Sequence, residues 1–195
     1  HTLAEVKQRF MSGTIESSDR SDVETSIIDL ADAVVAFTMH EKEALVNYYG
    51  ARSDRISVIP CGVDLDLFKP IDKLEARSRL DFDQRPVILF VGRIEPLKGV
   101  DLLFKAVAII EEFDFPRVVV VGGEAEYKEM NRLYDLVHEL ALDSQVEFVG
   151  PVDHGELPLY YNAADVVVVP SYYESFGLVA VEALACSSPV IASRV

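Results

Sequence analysis

Two glutamates, Glu174 and Glu182, bracket the segment ESFGLVAVE, and their type and spacing suit the recognition of hydroxyl groups. Carboxylates repel phosphate and accept hydrogen bonds from hydroxyls. Gly177 and Leu178, which lie between them, begin a predicted helix whose first backbone N–H groups have no partner within the helix and suit an anion. A diphosphate on these N–H groups would leave both carboxylates reaching hydroxyls on either side of it. The alternative is that the glutamates only favour the helix N-terminal region through its dipole.

A second cluster, GRIEPLKG, supplies positive charge where the first strand of a predicted sheet ends. Gly92 allows a sharp turn, and Arg93 and Lys98 follow it just before a helix, so the segment has the composition of an anion site. The alternative is that both cations are solvated loop residues. No G-x-x-x-x-G-K-[ST] and no G-x-G-x-x-G segment occurs, so these motifs for triphosphates and dinucleotides are absent.

From Pro86 onward, short β-branched runs alternate with stretches of helical period, which is the pattern of βαβ units and a parallel sheet. Continuous apolar runs are typical of strands that are buried on both faces. The strand-like runs are PVILFVG, RVVVVGG, QVEFVG, DVVVVP and PVIAS, and the helical stretches are VDLLFKAVAIIEEF, EYKEMNRLYDLVHELAL, ELPLYYNAA and GLVAVEALAC. The sequence therefore predicts a doubly wound α/β sheet, in which ligands bind beyond the carboxyl ends of the strands.

The first part of the chain predicts α/β structure with too few strands to close a sheet. Its helices are HTLAEVKQRFM, RSDVETSIIDLAD and HEKEALVNYYG, and its strands are AVVAF and ISVIP. The stretch CGVDLDLFKPID, with its glycine, proline and aspartates, predicts a linker. We therefore expect a boundary near Phe68 to Ile71 that separates 1–68 from 69–195. Because the chain begins without methionine and stops at an apolar strand, we expect a piece of a longer polypeptide that is inactive by itself.

Charge and cysteine content exclude several classes of protein. The chain has 18 Lys and Arg against 33 Asp and Glu, a formal net charge of −15, which is the wrong sign for coating nucleic acid or anionic lipid. Cys61 and Cys186 show no metal-type spacing, and without a signal peptide or long apolar span they predict reduced thiols in the cytoplasm. No Asp-x-Asp follows a strand, because DLD at 64–66 lies in the linker. We therefore expect no metal and no cofactor.

The segments GRIEPLKG, VVVVGG, VEFVGPV, AADVVVVPSYYESFGLVAVEALAC and PVIAS, in this order, resemble the donor domain of the retaining glycosyltransferases of family 4. Those enzymes have the two-domain GT-B fold. Glu174 and Glu182 match that family's E-x7-E pair, while Arg93 and Lys98 match its diphosphate-binding pair. The resemblance implies a Rossmann-like α/β donor domain at 69–195, preceded by the C-terminal portion of an α/β acceptor domain at 1–68. Ser187 departs from the family, which usually has glycine there.

The resemblance also implies a nucleoside diphosphate sugar as donor. We expect a UDP-sugar, and donors with guanine or adenine are the alternatives. Arg93 and Lys98 would bind the diphosphate, Glu174 sugar hydroxyls and Glu182 the ribose. The backbone from Gly150 to Val152 would meet the base. The implied donor-binding residues are Gly92, Arg93, Lys98, Gly150, Val152, Glu174, Ser175, Phe176, Gly177, Leu178 and Glu182.

The start of the chain resembles the acceptor side of two groups within this family. HTLAEVK is similar to the H-[TS]-L-x-x-x-K stretch of inositol-phosphate glycosyltransferases of mycothiol synthesis and of sucrose-phosphate synthases. RSDVETSIIDLADAVVAFT matches the R-x-x-x-E-x-x-x-x-x-x-A-D pattern that follows in those enzymes. His1 would then act near the reacting sugar, with Arg93, Lys98 and Glu174 as the other catalytic residues. The acceptor would be a phosphorylated sugar or cyclitol, and Thr2, Lys7 and Arg20 would contact its phosphate. The alternative is that these three are ordinary helix residues.

The reaction that the resemblance implies is transfer of a hexosyl group from the nucleotide sugar to an acceptor hydroxyl with retained anomeric configuration. An oxocarbenium-like transition state builds negative charge on the leaving diphosphate, where Arg93, Lys98 and a helix N-terminus stabilise it. Three alternatives stay open. A glycoside hydrolase also uses two carboxylates but needs no diphosphate site, a nucleotide-sugar epimerase shares the fold, and a donor-binding protein without catalysis keeps only the pocket.

Overall fold

The computed structural model describes residues 3–10, 18–110, 116–123 and 127–195. Contacts divide the chain into two compact units. The first unit comprises His1–Gly62 and Tyr173–Phe176, and the second comprises Val63–Tyr172 and Gly177–Val195. The boundary expected near Phe68 thus lies inside the second unit, where the Phe68 ring is buried in a hydrophobic core. The limits of the domains in the intact protein stay a prediction.

The first unit contains three α-helices, one short 3-10 helix (Ser53–Arg55) and two strands within its described residues. The α-helices and strands are α1 (Ala4–Phe10), α2 (Ser18–Leu30), β1 (Val34–Ala36), α3 (Met39–Tyr49) and β2 (Ile56–Val58). The two strands pair in parallel. Thr38 caps α3 by accepting a hydrogen bond from the Glu41 N–H at 3.1 Å, and Gly50 ends the helix in the left-handed region with φ 66°. The elements predicted here are confirmed: α1, β1 and β2 are shorter than expected, and α2 and α3 begin two residues and one residue earlier.

The second unit is a five-stranded parallel sheet with helices on both faces. Its elements are α4 (Lys73–Arg79), β3 (Val87–Val91), α5 (Val100–Val107), β4 (Arg117–Val121), α6 (Tyr127–Glu139), β5 (Val146–Gly150), α7 (Leu157–Ala163), β6 (Val166–Val169), α8 (Leu178–Ala185) and β7 (Val190–Ala192). The strand order is β5-β4-β3-β6-β7, and each neighbouring pair is parallel. The doubly wound α/β sheet predicted from the sequence is confirmed.

Alternate residues of the central strands serve two separate hydrophobic cores. In β3, Leu89 contributes to the core that contains α7 and α8, whereas Phe90 contributes to the core that contains α5 and α6. In β4, Val119 and Val120 divide in the same way. Successive side chains of a strand point to opposite faces, so a continuous apolar run fills both cores. This accounts for the valine-rich sequence of these strands.

Helix α4 was not predicted, because its sequence was assigned to no element. Asp72 caps it by accepting the Glu75 N–H at 2.9 Å. Arg77, on the same helix, is buried and donates to the Ala163 carbonyl at 3.0 Å. An N-cap aspartate followed three residues later by glutamate is a helix-start signal that could have revealed α4.

Ser187 follows α8 with φ 62°, in the left-handed region. This region costs an L-residue about 1–2 kcal/mol and suits glycine. The glycine usual in the family that the sequence resembles therefore has a steric reason at this position.

Candidate active site

The topology of the sheet determines where a ligand crevice can form in the second unit. The chain passes from β3 outward through β4 to β5, and then returns to β6 on the other side of β3. Where strand order reverses in this way, the loops beyond the two adjacent strands separate and leave a crevice at their carboxyl ends. The GRIEPLKG segment follows β3, and the chain that contains Glu174 follows β6. Both charged clusters thus follow strands at the switch point.

We call the carboxyl edge the ends of β3, β4, β5 and β6 together with the residues of the second unit that follow them. In the loop after β3, Arg93 is more than half exposed and forms an ion pair with Glu95, with 2.7 Å between Nη1 and Oε1. Lys98 is partly buried at the end of a 3-10 turn. The two cations therefore lie on one short loop, and Arg93 already has an acidic neighbour that a bound anion would replace.

Gly99, directly after Lys98, fixes this loop against the chain that leaves β6. Its φ is +66°, and a Cβ at this position would lie 2.1 Å from the Pro170 carbonyl oxygen. A hydrogen bond from the Tyr172 N–H to the Leu97 carbonyl, 2.8 Å long, joins the same two segments. The position of Lys98 is therefore set by backbone contacts on both sides of the switch point.

A cavity of about 230 Å³ opens at the ends of β4 and β5. Its lining residues are Ile94, Gly122, Gly123, Met130, Tyr134, Phe148, Val149, Gly150 and Pro151. A Cβ at Gly122 would come within 2.6 Å of the Gly92 carbonyl oxygen, so glycine is needed for this approach of β4 to the loop after β3. Aliphatic and aromatic walls beside glycine backbone suit a flat heterocycle. Gly150, predicted to meet a base, lines the cavity, whereas Val152 packs against the core.

Glu182, on α8, is buried among polar partners from the same unit. The residue is only 9% exposed. Tyr161 on α7 donates from Oη to Glu182 Oε2 at 2.7 Å, and His154 Nε2 lies 3.6 Å from Oε1. Burial and the hydrogen bond to Glu182 raise the pKa of Tyr161 far above its usual range. The phenol therefore stays protonated and serves as a donor to the carboxylate.

Helix α8 presents its N-terminus at the same edge. Gly177 precedes the helix with φ 85°, and no side chain caps the first turn. Backbone N–H groups at the start of a helix suit an anion when they are not capped by a side chain. Just before this glycine, Glu174 accepts a hydrogen bond from the Ser175 N–H at 3.2 Å. By their contacts, Glu174, Ser175 and Phe176 belong with the first unit.

The residues implied for donor binding thus divide between the two units. Eight of them belong to the second unit: Gly92, Arg93, Lys98, Gly150, Val152, Gly177, Leu178 and Glu182. The remaining three, Glu174, Ser175 and Phe176, are partly buried residues of the first unit.

On the acceptor side, His1 and Thr2 lie outside the described residues. Lys7 lies on α1, and Arg20 lies in the first turns of α2. Arg20 Nε donates to Glu24 Oε1 at 2.9 Å, and Glu24 Oε2 accepts the Ala4 N–H at 3.0 Å. Glu24 therefore joins the start of α1 to the predicted phosphate-binding arginine.

Tyr49 completes this network of the first unit. Its hydroxyl donates to Glu24 Oε2 at 2.5 Å and accepts the Glu5 N–H at 3.1 Å. Burial and the hydrogen bond to Glu24 raise the pKa of Tyr49 to about 12. The phenol therefore remains a donor at neutral pH and ties α3 to α1 and α2.

Sequence reasoning missed the residues that hold the predicted ones in place. Tyr161 was read only as part of an apolar helix, and Glu24 only as part of a matched pattern. His154 and Tyr49 carried no signal by spacing, because their partners lie far away along the chain. The pair between Arg93 and Glu95 could have been predicted, since an acidic residue two positions after an arginine in a turn can form an ion pair with it.

Within the described residues, no group of three or more His, Cys, Asp or Glu side chains is arranged to hold a metal ion. No helix in the described part of the chain has the length and apolar character needed to cross a membrane.

Comparison with protein families places both units in glycosyltransferase groups. Residues 72–195 match the model described as "Glycosyl transferases group 1", and residues 1–67 match the model described as "Glycosyltransferase Family 4". Together the two matches extend through nearly the whole chain.

Curated relatives match over the full chain. D-inositol 3-phosphate glycosyltransferase 2 of Catenulispora acidiphila is 43% identical, and the match covers 48% of that protein. D-inositol 3-phosphate glycosyltransferase of Corynebacterium glutamicum is 40% identical over 49% of its length. The chain therefore spans about half the length of the curated relatives that it matches.

Solved structures share the fold. Sucrose-phosphate synthase from Thermosynechococcus elongatus is 39% identical with a TM-score of 0.89, covering 100% of this chain and 49% of that one. Anabaena HepE in complex with UDP and glucose is 27% identical with a TM-score of 0.82, covering 92% and 49%. These neighbours confirm the GT-B-like α/β architecture expected from the sequence. The chain belongs to the group 1 glycosyl transferases.

Proposed function

We propose that the protein is a retaining hexosyltransferase that moves a sugar from UDP to a hydroxyl of a phosphorylated cyclitol or sugar. One observation carries the proposal: a cationic loop, a helix N-terminus without a side-chain cap, a buried glutamate and an aromatic-walled cavity all follow carboxyl ends of strands in one parallel sheet of a group 1 glycosyl transferase unit. The relatives named D-inositol 3-phosphate glycosyltransferase support a phosphorylated acceptor. The UDP and UDP-glucose in Anabaena HepE support the donor.

In the proposed complex, each part of the donor meets a group of suitable chemistry. Arg93, Lys98 and the N–H groups at the start of α8 bind the diphosphate, because cations and helix N-termini both attract phosphate. Glu182 accepts hydrogen bonds from the ribose. The base occupies the cavity at the ends of β4 and β5, beside the backbone at Gly150. Glu174 accepts hydrogen bonds from the sugar hydroxyls, with Ser175 and Phe176 next to it.

Bond breaking in this mechanism separates the sugar C1 from the diphosphate oxygen. Negative charge grows on the leaving diphosphate, so Arg93 and Lys98 bind it more strongly in the transition state than in the ground state. Arg93 exchanges its carboxylate partner Glu95 for a phosphate oxygen in the process. The acceptor hydroxyl attacks on the face that the diphosphate leaves and passes its proton to an oxygen of the departing diphosphate, so that the new bond to C1 retains the anomeric configuration. No metal is required, because protein cations neutralise the leaving group.

The acceptor assignment rests on the first unit. Lys7 and Arg20 bind the acceptor phosphate in this proposal, and Glu24 orients the Arg20 guanidinium through its bond to Nε. His1 and Thr2 complete the proposed acceptor site, and their assignment rests on the sequence alone. We also propose a cytoplasmic location, for which the free thiols of Cys61 and Cys186 are the support.

The test is a transfer assay on the intact protein with UDP-glucose, UDP-N-acetylglucosamine or UDP-galactose, and D-inositol 3-phosphate or unphosphorylated inositol as acceptor. The proposal predicts a product with the donor's anomeric configuration by proton NMR, formed from the phosphorylated acceptor. Inversion of configuration contradicts the retaining mechanism. Release of UDP with a changed sugar and no acceptor product would instead favour the epimerase.

A further inference from the structure

The carboxylate of Glu182 lies in an environment where its orientation depends on protein donors. Glu182 is 9% exposed, and a carboxylate so far from water needs hydrogen bonds from the protein. Tyr161 Oη supplies one to Oε2 at 2.7 Å, in a buried contact between α7 and α8. His154 Nε2 lies near the other oxygen, 3.6 Å from Oε1.

Tyr161 is held rigidly at this contact. Its side chain is fully buried, and its ring packs against Phe68 with 6.0 Å between centroids. Ser188 Oγ donates to the Tyr161 carbonyl. On the next residue of the helix, Asn162 Oδ1 accepts the Ile71 N–H at 2.8 Å. The phenol therefore cannot move away from Glu182 without disturbing the core.

The two oxygens of Glu182 differ in what can reach them. Oε2 points to the buried phenol, whereas Oε1 points to His154, whose side chain is 64% exposed. A hydroxyl that approaches from solvent therefore meets Oε1. Tyr161 holds Oε2 through a hydrogen bond. Rotation of the carboxylate that turned Oε1 toward the core as well would break this bond.

We propose that Tyr161 is a positioning residue of the donor site, which fixes Glu182 so that Oε1 is presented to the ribose hydroxyls of a nucleoside diphosphate. This inference rests on the proposed function, in which Glu182 binds the ribose. Tyr161 touches no ligand in this scheme and acts only through Glu182. Its effect is therefore confined to ligands that carry ribose hydroxyls.

The test is a binding cycle that pairs Tyr161→Phe with removal of the ribose hydroxyls. The intact protein and the variant are each titrated calorimetrically with UDP and with 2′,3′-dideoxyuridine diphosphate. Tyr161→Phe is expected to weaken UDP about tenfold and to change the dideoxy affinity by less than about twofold. Equal weakening of both ligands would show that the phenol only supports the fold, and would overturn the inference.

Tyr160→Phe is the matched control. It removes a hydroxyl from the adjacent residue of α7, whose ring packs against Phe82, and it is expected to leave both affinities unchanged. If Tyr161→Phe does not fold, Tyr161→Met provides a second side chain without a hydroxyl and the same prediction applies. Absence of UDP binding to the unaltered protein would overturn the proposed function and this inference with it. If the unaltered protein and Tyr161→Phe bind UDP equally well, this inference alone is overturned.

Discussion

Charged side chains at the carboxyl edge have protein partners of very different strength. Arg93 pairs with Glu95 at 2.7 Å, but the arginine is more than half exposed, so the pair contributes little to stability. Glu182 bonds to Tyr161 in the protein interior, where the contact is shielded from water. We therefore expect a diphosphate to replace Glu95 at Arg93, and we expect the bond between Tyr161 and Glu182 to persist when a ligand binds.

Replacement of Lys98 by alanine should weaken binding of the diphosphate and spare the nucleoside. Loss of a charge-assisted hydrogen bond is expected to reduce UDP binding by about 1.5–3 kcal/mol. Uridine, which lacks phosphate, should bind equally well to both proteins in calorimetric titrations. Lys105→Ala is the control, because Lys105 pairs with Asp101 on α5 and has no assigned role. Equal losses for UDP and uridine would contradict the role of Lys98.

The two glutamates should contribute to the binding of different parts of the donor, Glu182 to the nucleotide and Glu174 to the sugar. Glu182→Ala is expected to weaken UDP itself, because the ribose loses its acceptor. Glu174→Ala should leave UDP binding nearly intact and remove only the additional affinity that the sugar of UDP-glucose provides. Titration of each variant with both ligands measures the difference. If Glu174→Ala weakened UDP and UDP-glucose equally, this division of roles would be wrong.

At the residue scale, the sequence indicates candidate ligand-binding groups better than the groups that orient them. Glu182 was singled out as a candidate because of its carboxylate chemistry and its spacing from Glu174. Tyr161 was not, since a tyrosine in an apolar helix has the same pattern whether or not its hydroxyl has a partner. The bond between them joins residues 21 positions apart, which only the folded chain brings together.

At the scale of elements, Gly99 makes the junction between β3 and α5 sterically constrained. Gly99→Ala should destabilise the second unit by about 3 kcal/mol, because the left-handed backbone disfavours alanine and the new Cβ would lie 2.1 Å from the Pro170 carbonyl. Urea unfolding monitored by circular dichroism measures this change. Gly155→Ala is the control, since a Cβ there meets nothing within 4 Å. Similar stability of the two variants would contradict the contact with Pro170.

The prediction of elements succeeded where apolar runs alternate regularly with turn signals, and it failed for a short helix without an apolar stripe. The strands from β3 to β6 were predicted because each forms a run of apolar residues between turn signals. Helix α4 was missed because only Ala76 and Arg77 are buried in it, so its seven residues show no apolar stripe. Its position depends instead on ionic contacts with distant residues.

On the scale of the whole second unit, Asp165 joins segments that are far apart in sequence. Its carboxylate accepts hydrogen bonds from Lys73 Nζ at 2.5 Å, Arg77 Nη2 at 2.6 Å and the Val87 N–H at 2.7 Å. Burial alone would raise the pKa of Asp165, but these donors and the two positive charges lower it below its usual value. The carboxylate thus connects α4 to the sheet.

Asp165→Asn should lower the free energy of unfolding by about 1–2 kcal/mol at pH 7, a modest figure because solvent screens a partly exposed group. The folded pKa lies below the unfolded value of about 3.9, so this stabilisation is present above about pH 4 and is lost as pH falls through the folded pKa. Urea unfolding should therefore show a difference from the unaltered protein that shrinks toward pH 3. A difference that stays constant with pH would contradict this origin. Asp83→Asn, at an exposed pair with Arg85, should change stability by less than about 0.5 kcal/mol.

The central claim is that the carboxyl edge binds a nucleoside diphosphate with protein cations and without a metal. The most direct measurement is calorimetric titration of the intact protein with UDP, GDP and ADP in the presence of EDTA. The account predicts saturable binding of UDP that persists in EDTA and tightens when the sugar of UDP-glucose is present. Binding that appears only after a divalent metal is restored would contradict the metal-free site, and absence of binding by all three nucleotides would contradict the donor site itself.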